Sequence, residues 1–179
     1  MKLELIERQA SIAAERIVLR PLAISDAPAI ERFSGDLRIS QMTTSIPFPM
    51  PKGAAADFIR DRTSATRPED VWVIDGTPSG QASVVGLVSL KFLDRAQSEI
   101  GYWVGPSFWN HGYAREAVAA VLAANPHGNS SVVACVFQDN PASARVLEAT
   151  GFVALGEAEA FSIARAAHVP TWTYLKRLA

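Results

Sequence analysis

Hydrophobic residues alternate with polar ones as in strands in some segments, and recur with the period of a helix in others. The points where one pattern replaces the other divide the sequence into strands and helices. Glu15–Leu22 has the apolar and β-branched content of a strand. Asp26 and Pro28 provide the cap and the early proline of a helix that follows this strand. The prolines within 46–51 predict a loop, and a short helix over about 52–63 comes after it.

From Val71 onward the spacing is mainly that of strands. The runs VWVID, SVVGLVSLKFL and SEIGYWV are separated by short turn-forming segments, which favours antiparallel hairpins. The remaining elements are predicted as a helix over 112–124, a strand over 130–137, a helix over 140–151, and strands over 152–163 and 168–175. This order indicates one α/β domain spanning 1–179, with its core over about 15–177.

Composition and charge exclude several classes of protein. The chain is 49% hydrophobic and has a net charge of −1, so it has the content of a globular domain and not of a disordered one. Seventeen basic residues against eighteen acidic ones give no overall field for nucleic acid or an anionic membrane. The longest apolar run, 117–124, is far shorter than the roughly 20 residues of a membrane span. We expect neither nucleic acid nor membrane as a partner.

Cysteine and histidine usage predicts neither a disulfide nor a metal site. Cys135 is the only cysteine and lies in the apolar run SVVACVF, which predicts a buried, reduced thiol. His127 and His168 show no metal-ligand spacing. The N-terminal segment mixes charges of both signs and lacks a signal-peptide core, so we expect a cytoplasmic location.

The junction between the third β-rich run and the next helix is the first candidate site. A turn at Gly105 is followed by a helix that begins near Gly112. The first amides of a helix lack intrahelical partners, and the helix dipole adds positive potential, so such a terminus can bind a phosphate. A junction of this kind that binds nothing remains an alternative. Neither of the two common nucleotide-binding fingerprints is present.

Two motifs resemble the GNAT N-acetyltransferase superfamily. The segment WNHGYA, 109–114, is similar to its acyl-CoA-binding motif [RQ]-x-x-G-x-[GA], and DNPASARVLEATGF, 139–152, is similar to its second cofactor motif. The motifs occur in the expected order, and the resemblance covers nearly the whole chain. The run EIGYW and the aromatic residue at the first motif position resemble the branch of ribosomal-protein-alanine N-terminal acetyltransferases.

The resemblance implies a fold and a cofactor site. The fold would be a mixed, mostly antiparallel sheet, flanked by helices and splayed between two parallel strands, 98–104 and 131–137. Acetyl-CoA would be the cosubstrate, with no metal. The pantetheine arm would lie along the first of these strands, near its last two residues, and the motif amides would bind the pyrophosphate. The implied cofactor-binding residues are Trp103, Val104, Trp109, Asn110, His111, Gly112, Tyr113, Ala114, Asn140 and Ser143.

The sequence departs from the family pattern at two positions. Trp109 replaces the usual Arg or Gln, which removes one side-chain contact but leaves the backbone amides. Leu147 occupies the position where many members carry a tyrosine that protonates the leaving thiolate. Leucine has no proton to donate, and Ser143 is the nearest matching hydroxyl, which makes it the candidate catalytic acid.

Glu99 is the candidate general base. Strand alternation places it on one face with Gly101 and Trp103, in a run that is otherwise apolar and aromatic, and an isolated carboxylate there suits proton abstraction. A structural glutamate paired with an arginine is the alternative. His111 is either a phosphate contact or a solvated loop residue, and Asn140 is a helix cap with or without a cofactor contact.

These features predict an acetyl-CoA-dependent N-acetyltransferase in which a neutral amine attacks the thioester directly. The expected acceptor is the N-terminal α-amine of a protein or peptide, with the loop 42–51 forming its wall. A backbone N–H near Val104 would polarise the thioester carbonyl. Two alternatives remain: an acetyltransferase for small-molecule or antibiotic amines, and a non-catalytic acyl-CoA-binding regulatory domain. The oligomeric state is expected to be a monomer or a homodimer.

Overall fold

The computed structural model describes residues 9–179. Within that range the chain forms one open sheet with helices on both faces. The strands are β1 (Ile12–Ala13), β2 (Val18–Pro21), β3 (Glu69–Asp75), β4 (Gly86–Phe92), β5 (Gln97–Val104), β6 (Ser131–Phe137), β7 (Val153–Ser162) and β8 (Ala167–Arg177). The helices are α1 (Ala27–Ser34), α2 (Leu37–Ser40), α3 (Ala54–Arg62), α4 (Tyr113–Ala124) and α5 (Pro141–Ala149).

The sheet order is β1-β2-β3-β4-β5-β6-β8-β7, and β5–β6 is its one parallel pair within the described residues. A parallel pair needs a crossover connection, which α4 provides. The parallel ladder contains only three pairs, from Gln97↔Ser131 to Glu99↔Val133. From Ile100 onward the two strands diverge and leave an opening in the sheet. The expected single α/β domain with a sheet splayed between two parallel strands is confirmed.

Two hydrophobic clusters cover the two faces of the sheet. Apolar residues of α4, among them Val118 and Val121, pack on one face. Ile30 of α1 and Ile59 of α3 pack on the other face. Full burial of side chains of this size contributes about 1.5–3 kcal/mol each. Because β5 runs between these clusters, its alternate residues face two different environments.

The predicted elements form within a few residues of their expected bounds, with some local differences. Helix α1 has Pro28 in its first turn as predicted, but the Asp26 side chain does not cap it. Instead, Asp26 accepts two 2.9 Å hydrogen bonds from the Arg20 guanidinium. The short helix α2 was not predicted, because four residues are too few for a hydrophobic period. No helix of residues 9–179 has the length and hydropathy needed to cross a membrane.

A buried polar network lies where β5 and β6 pair. Ser98 Oγ is 2.8 Å from His127 Nδ1, and His127 Nε2 is 3.0 Å from Asp70 Oδ2. Arg67 Nε donates to the other Asp70 oxygen at 2.5 Å, and the Phe92 ring stacks on His127. Burial acts to raise the pKa of Asp70, but the hydrogen bonds from His127 and Arg67 outweigh it and lower the pKa. The network ties β3, β5 and the α4–β6 connection together.

Candidate active site

A cleft of about 850 Å³ lies at the opening between β5 and β6. Tyr102 of β5, with Asn140 and Ser143 near the start of α5, lines it on the face that α4 covers. Glu99 and Trp103 line it on the opposite face, and the loop after α2 and helix α3 complete that side. One cleft therefore joins the two faces of the sheet through the opening.

The start of α4 is shaped for an anion. Gly112 is the N-cap, with a φ of +81°, and Asn110 also has a positive φ. A side chain at position 112 would adopt this conformation only with strain, and an added Cβ would lie 3.3 Å from Arg16 Nη2. Asn110, His111 and Gly112 are exposed, so the first amides of the helix are open to a ligand. Ala114 is partly buried against the core and leaves this approach narrow but clear.

Trp109 connects the predicted pyrophosphate loop to the end of β5. Its indole Nε1 donates to the Val104 carbonyl at 2.6 Å, and the Arg38 guanidinium lies over the ring. Val104 itself is buried, at 7% exposed. The side chain that replaces the usual Arg or Gln thus makes a hydrogen bond within the protein, and positions the loop rather than presenting a charge.

Arg16 is a residue of this region that sequence reasoning missed. Its Nη1 donates to the His111 carbonyl at 2.9 Å, and its Nε donates to Glu116 Oε2 at 2.8 Å. Its guanidinium lies over the Tyr113 ring, on which His111 also stacks. Arg16 therefore places a positive charge beside Gly112. It is 95 residues from His111 in sequence, so no local motif could have indicated it.

Ser143 and Asn140 meet at the start of α5, and Tyr102 reaches them from β5. Asn140 caps the helix, since its side-chain oxygen accepts from the Ser143 amide at 3.3 Å. Tyr102 Oη lies 2.8 Å from Ser143 Oγ and 3.0 Å from the Ser143 carbonyl oxygen. Burial raises the pKa of Tyr102 to about 12. Leu147, one turn further along α5, is fully buried.

Glu99 and Trp103 lie on the other face of β5, as the alternation predicted. Glu99 is partly exposed, and its neighbour across the β4–β5 ladder is Lys91. Arg62, an arginine that lines the same cleft, pairs with Glu69 at 2.7 Å and with Asp61 instead. The Trp103 ring packs edge-on to Phe33, with ring centroids 6.0 Å apart. The structure thus separates Glu99 and Trp103 from Ser143 and Asn140 by the thickness of the strand.

The prediction of a buried Cys135 is wrong. Cys135 is exposed and lines the cleft, because alternation along β6 puts Val132, Ala134 and Val136 on the face that α4 covers and Cys135 on the opposite face, beyond the level at which β5 and β6 pair. The neighbouring protein nevertheless desolvates the thiol enough to raise its pKa, and the negative charge of Glu99 acts in the same direction. The thiol is therefore accessible but is not activated as a nucleophile.

The loop expected to form the acceptor wall does line the cleft, from Met42 to Pro47 and at Met50. The β7–β8 turn holds it. Arg165 Nε donates to the Gln41 carbonyl at 2.7 Å, and its Nη1 bonds to Asp139, which directly precedes the α5 cap. The Ile163 amide donates to the Thr44 carbonyl at 3.1 Å. One turn thus supports both the acceptor wall and the start of α5.

No group of three or more His, Cys, Asp or Glu side chains within residues 9–179 is arranged to hold a metal ion. The cleft has the hydroxyls of Tyr102 and Ser143 on one side and the carboxylates of Asp57, Asp61, Glu69 and Glu99 on the other.

Comparison with known proteins agrees with this fold and site. Residues 16–153 match the acetyltransferase (GNAT) domain family, which covers both motifs and most of the chain. This match, together with the splayed sheet, identifies the protein as an acyltransferase that uses acetyl-CoA. The chain belongs to the GNAT acetyltransferase family and is an N-acetyltransferase. No curated protein matches the sequence significantly.

Solved structures share the fold at low sequence identity. RimL, a ribosomal L7/L12 α-N-protein acetyltransferase solved with coenzyme A, has a TM-score of 0.81 at 16% identity, over 94% of this chain and 98% of its own. The microcin C7 self-immunity acetyltransferase MccE, with acetyl-CoA and AMP, has a TM-score of 0.78 at 18% identity, over 92% and 93%. A ribosomal-protein-S5-alanine acetyltransferase from Vibrio fischeri has a TM-score of 0.76 at 20% identity, over 94% and 97%.

Proposed function

We propose that this protein transfers the acetyl group of acetyl-CoA to the N-terminal α-amine of a protein or peptide, by direct attack. The observation that carries the proposal is the single cleft that spans the sheet at the β5–β6 opening. A thioester on the α4 and α5 face and an amine on the α1 and α3 face can meet there without an acyl-enzyme. The raised pKa of Cys135 also speaks against a covalent intermediate.

Different residues around the opening bind different parts of acetyl-CoA. The start of α4, from Asn110 to Ala114, offers amides to the pyrophosphate. Arg16 supports this loop through the His111 carbonyl, while its charge is paired with Glu116. The β5–β6 ladder ends at Glu99, so the strand edge beyond Ile100 is free to hydrogen-bond the pantetheine amides. A backbone N–H near Val104 polarises the thioester carbonyl. The cosubstrate supplies the activated acetyl group.

The fraction of amine that is neutral at pH 7 favours an α-amine over a lysine side chain as the acceptor. An α-amino group with a pKa near 7.8 is about 14% neutral at pH 7, while a lysine near 10.4 is only about 0.04% neutral. The amine nitrogen attacks the carbonyl carbon, the C–N bond forms, the C–S bond breaks, and the electron pair stays on sulfur. The extra amine proton passes to Glu99 or to water. One candidate base on the acceptor side is sufficient for an α-amine.

The acceptor side of the cleft carries more acidic than basic side chains. Asp57, Asp61, Glu69 and Glu99 line it, against Arg62 and Lys91. Arg62 pairs with Asp61 and Glu69, and Arg60 pairs with Asp57 at 2.7 Å. Glu99 is then the carboxylate of this side that favours a cationic acceptor in its resting state. An ammonium group attracted there would lose its proton before attack.

Mass-spectrometric mapping of the product tests the proposal. We expect peptides with a free N-terminal Ala or Ser to be acetylated at the α-amine, and the same peptides with a blocked N-terminus and an internal lysine to remain unmodified. Glu99→Gln is expected to lower kcat by less than about 10²-fold at pH 8, since the α-amine is then largely neutral. Acetyl label found only on lysine side chains would overturn the choice of acceptor.

A second acceptor class is supported by the structural neighbour MccE, the microcin C7 self-immunity acetyltransferase, and by the size of the cleft. Under this alternative a small-molecule amine occupies the acceptor side. Thiol release with matched panels of peptides and small amines separates the two: turnover of peptides or turnover of small amines.

A further inference from the structure

The cofactor-side wall of the cleft is mostly apolar where the thioester must lie. Ile100, Ala134, Val136 and Leu147 contribute only hydrocarbon there. A thiolate leaving in such a setting gains little from its surroundings, so any hydroxyl at this wall has a large influence on its energy. Tyr102 and Ser143 are the two residues that bring hydroxyls to it.

These two hydroxyls are in contact, although they come from elements far apart in the sequence. Tyr102 Oη lies 2.8 Å from Ser143 Oγ and 3.0 Å from the Ser143 carbonyl oxygen, and 41 positions separate the residues. The oxygen of the nearby Asn140 amide is already used, because it accepts the Ser143 N–H as a helix cap. The serine hydroxyl is therefore oriented by Tyr102.

Counting protons shows what this contact does. A phenol has one proton, and Ser143 offers it two acceptors, the hydroxyl and the carbonyl oxygen. While the phenol donates to the carbonyl oxygen, the serine proton is free to point at the phenol oxygen. When the phenol donates to Ser143 Oγ, the serine proton must point elsewhere, and the open direction is the cleft. A shift of one hydrogen bond thus presents the serine proton to a ligand.

We propose that Tyr102 is a positioning residue that turns the Ser143 hydroxyl toward the departing thiolate of coenzyme A. This inference rests on the proposed function and adds a role for Tyr102 that the motif residues do not have. The C–S bond breaks, its electron pair stays on sulfur, and the serine O–H donates a hydrogen bond to the thiolate. No proton is transferred from either hydroxyl, and the thiolate is protonated later by solvent.

The acidities of the groups agree with hydrogen bonding rather than proton transfer. A free thiol has a pKa of about 8.5, and burial raises the pKa of Tyr102 to about 12. The phenol therefore keeps its proton beside a thiolate at every pH at which the enzyme would work. A permanently protonated phenol is a constant donor, which is what orientation of Ser143 requires.

A double-mutant cycle tests the role of Tyr102. We expect Ser143→Ala to lower kcat by roughly 10²-fold and Tyr102→Phe to lower it by about tenfold, with KM for acetyl-CoA nearly unchanged in both. Because Tyr102 acts through Ser143, the double variant should be no slower than Ser143→Ala alone. A double variant whose loss of kcat equals the product of the two single losses would overturn the proposal. So would a Tyr102→Phe variant with wild-type kcat.

A binding measurement keeps this test independent of the acceptor. The thiol of bound coenzyme A is titrated by the ultraviolet absorbance of its thiolate, with no amine present. Tyr102→Phe should raise the pKa of the bound thiol, whereas a tyrosine that only supports the fold would leave it unchanged. If the wild type acetylates no amine, the proposed function fails, while this titration still decides the role of Tyr102.

Tyr174→Phe is the matched control. Tyr174 is also buried and also bonds to α5, since its Oη donates to Glu148 Oε1 at 3.1 Å, but it does not line the cleft. This variant removes a phenol contact to the same helix without touching the Ser143 hydroxyl. We expect its kcat and the pKa of its bound thiol to match the wild type. A defect as large as that of Tyr102→Phe would assign both effects to helix packing and overturn the proposal.

Discussion

The two halves of β5 have opposite arrangements. Residues Gln97–Glu99 pair with β6 in register, and the network of Ser98, His127 and Asp70 lies behind them. Residues Ile100–Val104 have no such pairing on that side, and a cleft follows them. On the α4 side, Ser98 in the first half contacts His127 inside the protein, while the backbone edge of the second half is left unpaired beside the cleft. Pairing with β6 therefore holds the start of β5 in place, while the edge of its second half remains unpaired.

Two serines show what this difference means for chemistry. Ser98 is 1% exposed and contacts both His127 and Asn129, so its hydroxyl is fully used. With Asp70 and His127 it has the residue types of a hydrolase triad, but no substrate can reach it. Ser143 lies in the cleft with one partner, Tyr102, that can release it. Accessibility separates the structural Ser98 from Ser143, the serine for which we propose a functional role.

Replacing Gly112 with glutamate is expected to have the largest effect, because Gly112 starts the helix that follows the unpaired half of β5. The left-handed φ of +81° strains any side chain at this position, and a carboxylate repels the pyrophosphate, so acetyl-CoA affinity should fall by at least about 10³-fold. Calorimetric titration of the folded variant measures this. Gly80→Glu is the control, since Gly80 also has a positive φ, of +75°, in a turn with open space around it. Unchanged affinity in folded Gly112→Glu would contradict the pyrophosphate site.

Alanine at each of the two serines should give opposite results. Ser143→Ala is expected to lower kcat by roughly 10²-fold and to leave the free energy of unfolding within about 0.5 kcal/mol of the wild type. Ser98→Ala should leave kcat nearly unchanged but lower the free energy of unfolding by about 1–3 kcal/mol, because His127 loses a buried partner. Steady-state kinetics and denaturant unfolding of both variants decide it. If the two variants changed kcat and the free energy of unfolding equally, the distinction between the two halves of β5 would be removed.

Low pH should destabilise the protein through protonation of Asp70, in the network behind the paired half of β5. Its folded-state pKa is lowered, so the stability it contributes is complete above the unfolded value of about 3.9 and is lost as the pH falls below that value. Asp70→Asn should cost about 1–3 kcal/mol at pH 7 and reduce the loss of stability below about pH 4. Unfolding curves at several pH values measure both. An unaltered acid dependence in this variant would show that other carboxylates account for it.

The smallest effect is expected at Trp109. Its indole makes one hydrogen bond to the Val104 carbonyl, while the amides of the loop are provided by the backbone. Trp109→Gln should therefore weaken acetyl-CoA binding by less than about tenfold, or ~1.4 kcal/mol. Calorimetry on this variant and on Trp109→Phe, which keeps the ring but loses the donor, separates the two contributions. A much larger loss in both would mean that the indole contacts the cofactor itself.

The sequence allowed much of the fold to be predicted because its signals are local. Asn140 and Pro141 start α5 as a cap and a first-turn proline should, and Gly151 follows its end with a positive φ. Gly112 likewise marks the start of α4. The splayed sheet was expected only because the two motifs resemble those of the GNAT superfamily. Short-range backbone preferences and a fixed motif order do not depend on tertiary contacts, so they can be interpreted without a structure.

The partners of the site residues could not be predicted in this way. Arg16 reaches the α4 loop, and Tyr102 reaches Ser143, across long separations in the sequence. The exposure of Cys135 depends on the level at which β5 leaves β6, which no residue of SVVACVF encodes. Contacts of this kind arise only after the sheet has formed. They are also the contacts that adapt a common fold to one chemistry.

The way in which the β7–β8 turn holds the acceptor wall bears on how new substrates are acquired. Arg165, Ser162 and the Ile163 amide bind the carbonyl oxygens of Gln41, Thr43 and Thr44, and every amino acid has such an oxygen. Met42 and Thr43 also make side-chain contacts, to Arg165 and to the Ser40 carbonyl, but residues 44 to 47 are held by the main chain of their neighbours. A lineage could exchange the residues from 44 to 47 one at a time and test each new amine, while the acetyl-donating half of the enzyme stayed intact.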